Sequence, residues 1–156
     1  MNIHAISACA LAALLAAPAP AMACRCEPRK DVATSLEMAE AVFLGRVVSM
    51  RELETVDGNT GVVTRTQAVD FVVEKGWKNA RTGERKHFLT SDPGSNCTKW
   101  FVRTERDAAG EPTDRWIVYA RGKPPYHFPS CSRSHRLTPP SSINDEPALD
   151  ALTTPQ

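Results

Sequence analysis

Three scarcities narrow the sequence before any motif is found: an excess of one charge, a long internal apolar run, and a recognised catalytic signature. Nineteen Lys and Arg stand against eighteen Asp and Glu, for a formal net charge of +1. Nucleic-acid surfaces draw on a clustered excess of basic residues, so this balance excludes an extended polyanion-binding face. Beyond the first two dozen residues no stretch reaches the eighteen or so apolar residues of a membrane span. There is no His-Glu-x-x-His, no Gly-x-Ser-x-Gly and no phosphate-cradling glycine loop, so no constellation supports an enzyme. What is present is five cysteines and twelve prolines in 156 residues.

Residues 1–23 read as a secretory signal peptide. Ala5–Ala17 is an apolar Ala/Leu run, Pro18 and Pro20 break it, and Ala21-Met22-Ala23 offers the small-x-small pattern of signal peptidase. The n-region has no Lys or Arg. A buried N-terminal helix would leave Cys9 and the two prolines without a role. Cleavage after Ala23 leaves 133 residues carrying every Lys, Arg, Asp and Glu of the chain. It also removes Cys9 and makes Cys24 the first residue of a protein bound for an oxidising compartment, extracellular or periplasmic. A lipobox with Cys24 acylated, which would anchor the protein to the envelope, is the competing reading. Ala21 stands there in place of the usual Leu.

Cys24, Cys26, Cys97 and Cys131 then form an even set with three pairings open to it. A Cys24–Cys26 bond would close a very small strained ring, which favours the two long-range pairings. Each of these joins positions roughly 70 to 105 residues apart and is worth on the order of 4 kcal/mol in loop-closure entropy. A redox role for Cys24-Arg25-Cys26 would want a βαβ context, which the pattern lacks.

The mature chain reads as all-β with small helices. A short helix is expected over residues 31–40, with Val32, Leu36 and Ala39 on one face and Thr34 with Glu37 as a capping box. Ala41–Met50 reads as a strand with a bend or bulge at Gly45. A turn follows over Asp57–Gly61, then an alternating strand over Val63–Glu74, closed by Gly76-Trp77-Lys78-Asn79. Further strands are expected at Arg85–Thr90, near Lys99–Thr104, at Trp116–Ala120 and around Phe128–Ser132. Turns over 92–95, 108–110 and 122–125 separate them. Several short strands with one small helix indicate a closed or nearly closed antiparallel barrel. Residues 138–156 form a Pro- and Ser-rich tail in which Pro147–Leu152 suits one last helical turn.

His87, His127 and His135 match no metal-ligand spacing, and the reading gives the protein no cofactor or metal of its own. Trp77, Trp100 and Trp116 suit core packing better than base stacking at so low a net charge. Asn96-Cys97-Thr98 fits a glycosylation sequon, a weak signal beside a cysteine expected in a disulfide. If both N-terminal sulfurs are bonded to distant loops, the free atoms of Cys24 are its α-amine and its carbonyl oxygen. Together these form a five-membered chelate on a metal ion. A catalytic zinc keeps one coordination position open, and a pre-ordered terminus fills it with little loss of entropy.

Several segments in order carry a resemblance: Cys24-Arg25-Cys26-Glu27-Pro28, Ala41–Val47, and Val69–Lys78 ending in Trp-Lys. Phe88-Leu89-Thr90 leading to Ser95-Asn96-Cys97, Trp116–Ala120 and Cys131-Ser132 continue it. Over residues 24–137 the chain resembles the N-terminal inhibitory domain of the tissue inhibitors of metalloproteinases, and more broadly the netrin-like module, in a short bacterial-type version. The resemblance implies a five-stranded antiparallel barrel of the oligonucleotide/oligosaccharide-binding (OB) type with a flanking helix. It implies the pairings Cys24–Cys97 and Cys26–Cys131 and zinc chelation by Cys24. It also implies contacts to a target cleft from Arg25, Cys26, Glu27, Pro28, Ser95 and Asn96.

The expected protein is therefore a secreted monomer whose partner is a secreted or envelope zinc metalloprotease, with no part for nucleic acid. The alternative is a non-inhibitory extracellular or envelope interaction module of the same netrin-like type. Two departures from the family bear on the target. The third disulfide of the animal inhibitory domain and the whole C-terminal inhibitor domain are absent. Arg25 replaces a small residue, and a guanidinium in a deep apolar pocket is costly unless an acid meets it. An acidic or open pocket fits better than that of an animal matrix metalloproteinase.

Overall fold

A computed structural model describes residues 28–90, 114–128, 131–137 and 143–154. The expected strand near Lys99–Thr104 and the turns over 92–95 and 108–110 lie outside the described residues. The described chain is mostly β. Its elements run α1 (Val32–Met38), β1 (Ala41–Val56), β2 (Val63–Lys78), β3 (Arg85–Thr90), β4 (Arg115–Ala120), β5 (Tyr126–His127), β6 (His135–Arg136) and α2 (Glu146–Leu152). The six strands form one sheet in the order β5-β3-β2-β1-β4-β6. All neighbours are antiparallel except β3 and β5, where Phe88 pairs with Tyr126 and Leu89 with His127 in parallel.

Helix α1 is shorter than the spacing suggested, and its cap is a different residue. Asp31 is the N-cap: its Oδ1 accepts from the Thr34 amide at 2.8 Å and its Oδ2 from the Thr34 hydroxyl at 2.8 Å. Thr34 therefore sits inside the first turn as a donor and does not begin a capping box with Glu37. Ala39 is already extended (ψ 144°), which turns the chain into β1.

Strands β1 and β2 are both longer than expected: β1 runs on over 51–56, exposed at every residue, and β2 continues through bulges at Glu74 and Trp77. The register slips at three points, leaving Val48, Glu74 and Trp77 without an opposite residue. Such bulges sharpen strand twist and re-aim side chains. The slip between Leu44 and Gly45 lies where a bend was expected. Gly45 and Gly76 are required by close approach: a Cβ on Gly76 would lie 1.8 Å from the Ala80 carbonyl oxygen. The segment Gly76-Trp77-Lys78, expected to end the strand, belongs to it, and Asn79 with φ 47° makes the exit. Asp57 builds the β1–β2 turn by accepting from the amides of Asn59 and Thr60.

Of the strand expected around Phe128–Ser132, the described residues Phe128, Cys131 and Ser132 belong to no strand, and 129–130 lie outside the described residues. Pro129 has no amide hydrogen for a ladder. Pairing falls instead to Tyr126–His127 and, as a sixth strand, His135–Arg136. Phe128 goes to the core at 5% exposure.

Alternation along the strands fills both faces of the sheet. One face collects Phe43, Val47, Val69, Phe71, Phe88, Val118 and Phe128, with Trp116 packed against them. Ring centroids lie 5.4 Å apart for Phe71–Phe88 and 5.0 Å for Phe88–Phe128, inside the range of favourable aromatic contact. The other face carries Val42, Leu44, Trp77, Ile117, Tyr119 and Leu149, against which Val32 and Leu36 of α1 pack. The expected turn at Pro147–Leu152 is α2, and it is docked: Leu149 is fully buried, and Asp150 accepts from the Trp77 indole and the Lys75 ammonium, both at 2.8 Å. No helix among the described residues is long and apolar enough to cross a membrane.

Candidate functional site

Between the segment entering α1, the end of β4 and the loop before β6 lies a cavity of about 330 Å³. Its lining brings together Pro28, Arg29 and Lys30, then Tyr119 and Arg121, then Cys131, Ser132 and Arg133. Segments about a hundred residues apart in the chain meet here.

Arg133 makes that meeting. Its Nε and Nη2 grip the two carboxylate oxygens of Asp145 at 2.6 and 2.7 Å, and its Nη1 donates to the Lys30 carbonyl at 2.7 Å. Tyr119 donates its hydroxyl to the same Asp145 at 3.0 Å. Asp145 is 3% exposed, and a carboxylate taken out of water is costly without such partners. The forked geometry suits Arg in particular, since a guanidinium meets a carboxylate with two parallel bonds. Burial and the adjacent Asp145 charge drive the Tyr119 hydroxyl above the usual tyrosine range. The bond to Asp145 pushes Arg133 further up, so it stays protonated. One buried acid thus fastens β4, the β6 loop, the N-terminal segment and the entry to α2.

Of the residues picked from sequence, Pro28 and Cys131 both line this cavity, and both are exposed. Cys24, Arg25, Cys26, Glu27, Ser95, Asn96 and Cys97 lie outside the described residues. The three candidate histidines are dispersed. His87 Nδ1 is 2.6 Å from Asp70 Oδ1, His127 pairs with Arg121 through the backbone, and His135 is buried with Nδ1 2.9 Å from the Arg133 carbonyl. Among the described residues no group of three or more His, Cys, Asp or Glu is arranged to hold a metal. Trp77 is buried and Trp116 packs on the aromatic core, while Trp100 lies outside the described residues.

Arg133, Asp145 and Tyr119 were not visible to sequence reasoning. The one available signal was Asp145 two residues before Pro147, a helix-start pattern, and it says nothing about a partner on β4. No protein-family model and no curated protein matches the chain.

Proposed function

We propose that the protein is a secreted inhibitor of a zinc metalloprotease that acts through its processed N-terminus. The α-amine and carbonyl oxygen of Cys24 chelate the target's zinc, and Arg25, Cys26, Glu27 and Pro28 lie along the cleft, flanked by Ser95 and Asn96. The observation that carries this reading is the convergence at the cavity. The 28–30 segment is held at the Lys30 carbonyl by Arg133 and lines the same cavity as Cys131. A Cys26–Cys131 bond needs those two segments side by side. An anchored segment so near the terminus leaves few residues to order when the target binds, which lowers the entropic cost of association.

Strand order supports the OB-type barrel within this reading. The ring β1-β2-β3-β5-β4 needs a parallel β3–β5 pair and a join from β5 to β4. The parallel pair is present, and Arg121, directly after β4, bridges His127 of β5 with amide-to-carbonyl distances of 3.0 and 3.4 Å. The aromatic core draws on all five of those strands.

Chelation needs a neutral amine, and a free α-amine titrates near 8, so inhibition weakens in acid. The decisive measurement pairs N-terminal sequencing and intact mass of the secreted protein with inhibition of a panel of secreted zinc proteases. Processing at Cys24 with no added lipid is expected, and one Ala added before Cys24 should abolish inhibition. A lipid on the amine, a different mature start, or equal potency of the extended protein would end the chelation reading.

A further inference from the structure

We propose that the groove beside the N-terminal segment is a docking site for an acidic peptide segment of a partner protein, read by Arg29, Lys30 and Arg121. Elsewhere among the described residues six cations reach a carboxylate and five (Arg51, Lys78, Arg81, Arg85 and Lys123) do not, but none of those five lines the groove. The six are Arg46, Arg65, Lys75, Lys86, Arg115 and Arg136. Arg133, in the groove itself, is consumed by Asp145 and the Lys30 carbonyl. Arg29, Lys30 and Arg121 are exposed and line one concavity. None of the three has a carboxylate partner among the described residues. Among the described residues the Lys30 ammonium reaches the Met38 sulfur at 3.4 Å, which neutralises nothing.

No acid belongs to the described lining, and the single buried acid beneath it, Asp145, is already shared by Arg133 and Tyr119. In a chain of net charge +1, three unmatched cations around one groove form a local field that favours an anionic occupant.

Shape and composition select the class. Nucleic acid and anionic lipid surfaces call for broad basic faces, of four to eight Lys or Arg in the lipid case; here there are three cations around a hollow. The hollow of about 330 Å³ has room for a few side chains. Pro28, Met38 and Tyr119 supply apolar lining for the methylene stems of Glu, whose carboxylates then reach Arg29, Lys30 and Arg121. The inference does not rest on zinc chelation. An interaction module that touches no protease would use the same groove.

The test titrates a capped hexaglutamate peptide into the ¹⁵N-labelled mature protein. Amide shifts at Arg29, Lys30 and Arg121 are expected, with affinity falling as salt is raised from about 50 to about 300 mM. The triple variant R29Q/K30Q/R121Q should bind about tenfold or more weakly. Arg51→Gln with Arg85→Gln, which removes two exposed cations that do not line the groove, should bind as the parent does. Adding Ala before Cys24 should leave peptide binding unchanged, which separates this site from the chelating terminus. Shifts mapping elsewhere, equal affinity of the triple variant, or binding of a sulfated oligosaccharide without binding of hexaglutamate would overturn the proposal.

Discussion

Asp145 is the residue on which the N- and C-terminal parts of the molecule depend. Its carboxylate takes two bonds from Arg133 and one from Tyr119 at 3% exposure. Breaking a buried ion pair from one side leaves the other charge stranded, which costs about 3–5 kcal/mol. Asp145→Ala is therefore expected to lower unfolding free energy in urea by about 3 kcal/mol and to free the segment around Lys30. Amide exchange at 28–31 should rise with it. Loss of stability with unchanged exchange there would show that Arg133 does not carry the anchoring. Gly76→Ala tests close approach at the same scale. The added methyl meets backbone, the Ala80 carbonyl at 1.8 Å, which no rotamer change relieves. Severe destabilisation or failure to fold is the expected outcome, and a variant with parental stability would refute the packing described for that turn.

At the scale of elements, α2 is held by a short-range polar cluster around one buried leucine. Leu149→Ala should cost about 2–4 kcal/mol, the range for a truncated core side chain. The pH dependence of docking follows from two shifted groups. Bonds from Lys75 and then Trp77 hold the Asp150 carboxyl below the ordinary carboxylate value, so its contribution exists above an unfolded value of about 4 and is lost as pH falls through the lower folded value. The bond to Asp150, with further support from Glu146, raises the Lys75 ammonium. Its contribution is complete below an unfolded value of about 10.4 and is lost as pH rises through the higher folded one. Docking should thus hold between about pH 4 and pH 10 and loosen on both sides. The Trp77 indole N–H resonance, bonded to Asp150 at 2.8 Å, reports it directly. In Asp150→Asn the acid-side change should disappear; if it persists, another carboxyl is responsible.

How far these elements could be foreseen depended on how local their causes are. The alternation of Arg85–Thr90 matches β3 in full, and the Asp57 turn is built by contacts two and three residues away. The far part of β1, 51–56, is exposed at every residue and so shows no period-two pattern, and in β2 the bulges at Glu74 and Trp77 break that pattern. The Arg133 anchor spans 103 residues to Lys30 and 12 to Asp145. Nothing in a local window records such a pairing. The candidate site was legible only where it rests on cysteine spacing and an N-terminal processing pattern, which are sequence properties; the cations of the groove gain meaning only from having no carboxylate partner among the described residues.

For the molecule as a whole, the two-faced sheet places the aromatic core on one side and both helices on the other. The segments lining the groove are joined by Arg133 and, on the proposed pairing, by a second, covalent tie between Cys26 and Cys131. The two ties differ in what they do to the unfolded chain. The ion pair acts only in the folded state, whereas a crosslink closing a loop of roughly a hundred residues restricts the unfolded ensemble by about 4–5 kcal/mol. Cys131→Ser should therefore destabilise the protein by an amount of that order even with Arg133 intact, and combining it with Asp145→Ala should cost more than either alone. Non-reducing peptide mapping decides the pairing itself. Cys131 should be recovered linked to the N-terminal peptide through Cys26, and Cys97 through Cys24. Recovery of a Cys97–Cys131 link would leave both N-terminal cysteines without a distant partner, and the rigid terminus that chelation requires would then have no covalent basis.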